Sequence, residues 1–374
     1  MIYLDSAATT FQKPPAVAAA MKRALDTMSS PGRGGYPAAM AAADAAFDCR
    51  SALAELYHAG SPERVVFTSN ATHALNIAIK SLVKPGGRTV ISGYEHNAVT
   101  RPLRAIGART AVASAPLFHP EQVTAAFDRL VRPGTSAVIC NHVSNVFGFV
   151  QPVEEIAAIC RARGVPFIID ASQSAGMLPL DMAALGMAFI AMPGHKGLYG
   201  PQGTGVLLCG ENVPVRTLLE GGTGSLSMQQ EMPDFLPDRL EAGTHNMPGI
   251  AGLLEGVRYV KQRGMDAICL RERQLTLLLA EGLRTIPNLR VYAMPGLHQQ
   301  AGVLSVVPEE KDVEVLGEEL AERGIAVRAG IHCAPFAHRT AGTLETGTVR
   351  LSVSDFNTPA EVYRTLDVFR ALLR

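Results

Sequence analysis

From about residue 15 to residue 260 the chain alternates short apolar runs with longer alanine-rich stretches of helical period. No other feature constrains its fold as strongly. Strand-like runs fall at residues 65–68, 89–92, 137–140, 166–170, 188–192 and 205–208, and helical patterns lie between them at 71–82, 97–105, 121–130 and 153–162. Strands that alternate with helices pair side by side in a largely parallel sheet. Their apolar character is nearly continuous, as expected of strands covered on both faces. After about residue 248 the pattern changes. Long helical segments at 250–263 and 267–283 precede strand-like runs at 289–292, 302–307, 325–328 and 349–353, with helices at 313–323 and 359–373. The expected fold class is therefore α/β, a large domain with a mostly parallel central sheet followed by a smaller α+β domain.

A length of 374 residues suits two or three folding units, and 47% hydrophobic residues are enough to fill large cores. Thirty-four basic residues balance 34 acidic ones, which leaves no electrostatic footprint for nucleic acid. The chain has no basic segment leading into an apolar one at Met1–Asp5 and no apolar run of about 18 residues, so neither a secretory leader nor a membrane span is expected, and a cytoplasmic location is. Six cysteines are scattered without CxxC pairs, which argues against a zinc site; Cys140 and Cys209 sit in apolar runs, where a thiol acts as a small buried hydrophobe. Only seven of the 34 basic residues are lysine, so each lysine is a rare choice.

Three loops at strand ends concentrate reactive side chains, and ligands of open α/β sheets bind beyond the carboxyl ends of the strands. In the first, Thr68-Ser69-Asn70-Ala71-Thr72-His73, small polar residues enter a helix whose free N–H groups suit either ordinary capping or an anion. The second places Asp170 after the apolar run Phe167-Ile168-Ile169, where a carboxylate is costly unless it caps a helix or meets a cation. The third sets Lys196 in the glycine-rich stretch Pro193 to Gly205; burial would lower its pKa and supply the neutral amine that Schiff-base chemistry needs. An anion site, a strand-end Asp and a loop Lys in this order match the needs of pyridoxal 5'-phosphate: a phosphate anchor, a partner for the pyridinium nitrogen and an amine.

With these motifs in view the chain resembles the class V, fold-type I enzymes that use pyridoxal phosphate, and within them the cysteine desulfurase and selenocysteine lyase group. The matching stretches run nearly end to end: Tyr3 to Thr9, Ser69 to Asn76, Glu95-His96, His142 to Asn145, Asp170 to Gln173, Gly194-His195-Lys196, Glu241 to Thr244, Arg328 to Ala334 and Arg350-Leu351-Ser352. The resemblance implies a large cofactor-binding domain over residues 15–260. Residues 1–14 and 261–374 would form the small domain that carries the Cys333 loop and Arg350.

It also implies a role for each matched residue. Lys196 would attach the cofactor and move the Cα proton, Asp170 would pair with the pyridinium nitrogen, and His96 would stack on the ring and serve in proton transfer. Gln173 would hydrogen-bond the phenolic oxygen. Thr72 and His195, with the backbone N–H of Ala71, would hold the phosphate, and Thr244 would reach the phosphate of a neighbouring subunit in a homodimer. Asn145 and Arg350 would orient the substrate, Arg350 through its carboxylate. Cys333 follows a predicted strand and His332 in a glycine-containing loop. On a mobile loop its thiolate could attack the sulfur of L-cysteine, leaving alanine and a Cys333 persulfide for a protein sulfur acceptor. L-selenocysteine is the second candidate substrate, and a transaminase, a β-eliminating lyase or a non-catalytic scaffold are the rival readings. Two positions depart from the group: Pro193 stands where a hydroxyl residue is common, and Ala71 replaces a threonine, so two phosphate hydrogen bonds are expected to be absent. The stretch 30–35 and Pro193 to Gly197 resemble a distinct branch of the group.

Overall fold

In the computed structural model of the chain, all of residues 1–374 are described except 33, 295, 297 and 374. Arg33, within the stretch 30–35, therefore lies outside the described residues. The chain opens with β1 (Ile2–Tyr3) and two helices with proline in the first turn, α1 (Pro15–Thr27) and α2 (Pro37–Tyr57). Proline suits that position because its missing N–H would be unpaired there anyway. An alternating series follows: β2 (Val65–Thr68), α3 (Ala71–Leu82), β3 (Arg88–Ser92), α4 (Asn97–Ala105), β4 (Arg109–Ala113), α5 (Pro120–Leu130), β5 (Ala137–Asn141), α6 (Val153–Ala162), β6 (Phe167–Asp170), α7 (Met182–Leu185), β7 (Phe189–Pro193) and β8 (Gly205–Cys209).

These strands form one seven-stranded sheet in the order β2-β8-β7-β6-β5-β3-β4. All neighbours run parallel except at β8, which is antiparallel to both β2 and β7. Every residue of β5, β6, β7 and β8 is buried. Alternate side chains feed opposite layers: Val138, Phe167, Ile169 and Ile190 join one core, and Ile139, Ile168, Phe189 and Ala191 the other. The edge strand β4 is absent from the sequence-based reading for the converse reason. Its residues Arg109 and Thr110 are exposed, so the apolar run that marks a covered strand never forms.

The helices α8 (Met247–Arg263) and α9 (Met265–Arg284) lead into the second half, which holds β9 (Leu289–Tyr292), β10 (Val303–Pro308), α10 (Val313–Glu322), β11 (Ile325–Ala326), β12 (Arg328–Gly330), α11 (Pro335–Ala341), β13 (Thr348–Ser352) and α12 (Pro359–Leu372). An antiparallel sheet of order β12-β13-β10-β9 packs against α9, α10 and α12 through Leu279, Leu316, Leu351 and Phe369. The single strand expected over 325–328 is two short ones, with Ile325–Ala326 pairing in parallel with β1 and Arg328–Gly330 joining the antiparallel sheet. Among the described residues no helix is long and apolar enough to cross a membrane.

Two glycines set how closely the loop after β7 can approach its neighbours. Gly176 has φ of 81°, and a side-chain carbon there would collide with the carbonyl of Gly197, while one at Gly197 would collide with the carbonyl of Ala175. Substituting Gly176→Ala meets both an unfavourable left-handed backbone and this collision, so it should destabilise the protein by about 1–3 kcal/mol. A lowered midpoint in chemical denaturation, with a weakened Lys196 loop, is the expected outcome.

Candidate active site

The carboxyl ends of β5, β6 and β7 lie side by side, with Asn141 opposite Asp170 and Asp170 opposite Ala191. At these ends opens a cavity of about 230 Å³, lined by residues from both halves of the chain. It brings together Ala71, Thr72, His96, Asn145, Asp170, Gln173, His195, Lys196, Cys333 and Arg350, every candidate named above except Thr244.

Asp170 closes β6 and is 4% exposed. Its Oδ1 accepts from the Ser172 N–H at 2.9 Å and from the Ser172 hydroxyl, so a neighbouring residue with no role assigned from sequence holds the carboxylate's orientation. Lys196 lies half-buried in the loop that leaves β7. Loss of hydration pushes its pKa down to about 8; the Asp170 carboxylate opposes the shift and Arg350 adds to it. At neutral pH about one lysine in ten then carries a free electron pair, against fewer than one in a thousand for an ordinary lysine.

His96 is the N-cap of α4, and its Nδ1 accepts from the Ala98 N–H at 3.0 Å. Burial pushes its pKa down to about 4, opposed by Asp170, so the ring is neutral and carries its one proton on Nε2. Asn70 caps α3 by accepting from the His73 N–H at 2.9 Å. The N–H groups of Ala71 and Thr72 belong to the first turn and have no partner within the helix, so capping and anion binding coexist there. Gln173 donates from Nε2 to the Ala7 carbonyl at 2.9 Å.

Arg350, on β13, donates to the Asn145 carbonyl at 3.0 Å and to Asp5 Oδ1 at 2.6 Å. Its Nε and the Asn145 Oδ1 are buried without partners, which leaves one donor and one acceptor unpaired. The Asn145 amide donates to the His332 carbonyl at 2.9 Å, and the Cys333 carbonyl accepts from the Asn97 N–H at 2.8 Å. The thiol sits on a short connection between β12 and α11 that is tied at two points. His332 and Cys333 both adopt left-handed backbone, with φ of 51° and 56°. All five other cysteines are buried and Cys333 is exposed.

Thr244 lies apart, exposed on the wall of a second cavity of about 220 Å³. Its loop is anchored by Glu241, which accepts from Arg50 Nη1 and Nη2 at 2.8 and 2.6 Å, from the Phe67 N–H, and is 2.6 Å from His245 Nε2. Burial alone would raise the Glu241 pKa, but His245 and Arg50 outweigh it and hold the carboxyl below its ordinary range.

Besides Ser172, the residues that sequence reasoning left without a role come from one segment. Asp5, Thr9, Thr10 and Lys13 hydrogen-bond Arg350 and the His195 and Lys196 carbonyls from behind the cavity lining. The signal available was the rarity of lysine, which Lys13 shares with Lys196.

A model of the class-V aminotransferase family matches residues 2–365. The chain belongs to that family. A probable cysteine desulfurase of Methanothermobacter thermautotrophicus is 33% identical to it over 375 residues, covering 96% of this chain and 92% of that protein. Another, from Mycolicibacterium paratuberculosis, is 33% identical over 386 residues, but this chain spans only 55% of that longer protein. Among solved structures, the apo form of a cysteine desulfurase from Thermococcus onnurineus NA1 has a TM-score of 0.89 at 29% identity, covering 100% of this chain and 94% of that one. The Escherichia coli cysteine desulfurase CsdA, solved as an S-sulfonic acid, has a TM-score of 0.85 at 26% identity, covering 99% and 94%. The α/β architecture with a mostly parallel central sheet is thus that of fold-type I cysteine desulfurase structures.

Because the Asp170 carboxylate supports the charged form of Lys196, Asp170→Asn should move the lysine's midpoint further below 8. Site-resolved mass spectrometry of lysine modification against pH, on the cofactor-free protein, measures this directly.

Proposed function

We propose that this protein is a pyridoxal 5'-phosphate-dependent cysteine desulfurase that takes sulfur from L-cysteine, releases L-alanine and carries the sulfur as a persulfide on Cys333. The observation that supports this most is the convergence on one cavity of a depressed lysine, a strand-end aspartate, a neutral histidine and the exposed cysteine. The residues present suit the cofactor. The Ala71 and Thr72 N–H groups with His195 suit its phosphate, Asp170 its ring nitrogen, His96 its ring face and Gln173 its phenolic oxygen. When bound, pyridoxal phosphate supplies an aldehyde for covalent attachment of amines and a ring that withdraws electrons from the attached carbon.

This chain's own residues account for the remaining work. Lys196 offers a neutral amine for attachment and, once released, a base at Nζ that takes the substrate's Cα proton. Arg350, whose Nε is unpartnered, receives the substrate carboxylate and sets which bond faces Lys196. Cys333 then attacks the substrate's sulfur. The new Sγ–S bond forms as the carbon–sulfur bond breaks, and the carbon keeps the electron pair and gains a proton to give alanine. The exposure of Cys333 leaves the persulfide open to a protein acceptor. L-Selenocysteine would follow the same route.

We further infer a homodimer in which the Thr244 loop completes the partner's phosphate site. The exposed position of Thr244 outside its own chain's Lys196 cavity supports this arrangement. Sedimentation equilibrium should give the mass of two chains.

Replacement Cys333→Ala tests the reaction. Alanine formation from L-cysteine should fall by at least about a hundredfold while the cofactor's absorption band persists, the pattern of a lost nucleophile with binding intact. Undiminished alanine release would overturn the persulfide route, and pyruvate in its place would favour elimination.

A further inference from the structure

The carbonyl oxygen of His195, the residue before the site lysine, collects four donors from one short stretch. They are the Thr10 N–H at 3.1 Å, the Thr10 hydroxyl at 3.1 Å, the Thr9 hydroxyl at 3.2 Å and Lys13 Nζ at 2.9 Å. A carbonyl oxygen has two lone pairs, so two of the four are surplus. Both hydroxyls have other acceptors within reach, the Lys196 carbonyl at 3.2 Å for Thr10 and the His195 ring Nδ1 at 3.0 Å for Thr9.

The Thr9 hydroxyl has a single proton and must choose between the His195 carbonyl and the His195 ring. Lys13 settles the choice. Its ammonium group makes the shortest of the four contacts, a charge-assisted one, and with the Thr10 N–H it saturates the carbonyl. The Thr9 proton then goes to Nδ1, where an acceptor is still open. Burial, reinforced by the charges of Lys196 and Lys13, pushes the His195 pKa down to about 4, so at neutral pH the ring holds one proton. With Nδ1 accepting, that proton sits on Nε2. His195 lines the cavity beside Ala71 and Thr72, where the first turn of α3 presents its free N–H groups.

We propose that Lys13 and Thr9 act behind His195 as positioning residues that set its tautomer, fixing Nε2–H as a donor to the anionic group held at the start of α3. The inference rests on the reading of that place as a phosphate site. Without Lys13, and with the Thr10 hydroxyl on the Lys196 carbonyl, a lone pair of the His195 carbonyl opens to the Thr9 hydroxyl; Nδ1 would then have to donate to Thr9, and Nε2 would face the anion with a lone pair.

The test is nitrogen NMR on the full-length, cofactor-free chain labelled with ¹⁵N-histidine near pH 7, with His195→Gln to assign the signals. The expected parent spectrum shows His195 protonated on Nε2 and bare on Nδ1. Lys13→Met should shift the ring toward Nδ1–H and weaken the binding of inorganic phosphate about tenfold, the loss of one hydrogen bond to a charged group. Thr9→Val, which leaves Nδ1 without a partner, should move the Nδ1 resonance away from its hydrogen-bonded position. Lys13→Arg and Thr9→Ser should keep the parent's ring shifts and phosphate affinity. A parent ring protonated on Nδ1 would overturn the proposal even if every variant failed to fold. So would ring shifts in Lys13→Met and Thr9→Val equal to the parent's. Parent and variants with the expected tautomers but no phosphate affinity would instead overturn the phosphate reading and leave the relay standing.

Discussion

A carboxylate closing a buried parallel strand has to meet positive charge or strong donors, and in this protein Asp170 is that carboxylate. Its position follows from the sheet: β6 is central, covered on both faces, and ends where β5 and β7 also end. Ser172 meets one oxygen directly, while Lys196 and His96 respond to the charge from the neighbouring loops. Taking the lysine out of water lowers its pKa and the aspartate limits the fall, so the amine is left where both its forms are accessible near neutral pH. Helix N-termini supply the complementary field, since α3 and α4 both begin at the cavity.

A second dependence runs through residues 2–13. β1 pairs with β11, Asp5 pairs with Arg350, Ala7 donates to Ser352 and accepts from Gln173, and Thr9, Thr10 and Lys13 hold the peptide before Lys196. One short segment thus touches the sheet that carries Arg350 and the loop that carries Lys196. Leu4 joins the core of the antiparallel sheet, and the rest of the segment's hold is a series of hydrogen bonds in partly buried surroundings, where a missing partner costs more than in water.

How much of this could be read from the chain depended on range. Asp170, Lys196 and the first turn of α3 were legible because each follows directly on a covered strand, and a covered strand announces itself as an apolar run. Cys333 was legible by contrast, since its cysteine neighbours in the sequence sit in apolar surroundings and it does not. The strand β4 escaped because its solvent-facing residues break the apolar run. Asp5, Thr9 and Lys13 escaped for a deeper reason. Their roles exist only through partners at Arg350 and His195, and no local pattern encodes a contact of that separation. The order of the Cys333 loop was not legible either, because the loop is tied by Asn97 and Asn145, bonds that likewise cross between distant stretches.

The pairing of Asp5 with Arg350 joins residues 345 positions apart, and that distance bears on synthesis as well as on chemistry. When residues 2–13 leave the ribosome, β11 and β13 do not yet exist, so β1 and Asp5 have nothing to pair with until nearly all of the chain has been made. The seven-stranded sheet, complete by Cys209, can assemble earlier. Its strand ends would then stand open, with Lys196 lacking the wall formed by Arg350 and Cys333. A competent site is therefore one of the last things the chain acquires, and an incomplete chain, however well its central sheet has formed, has no enclosed place for the chemistry to start.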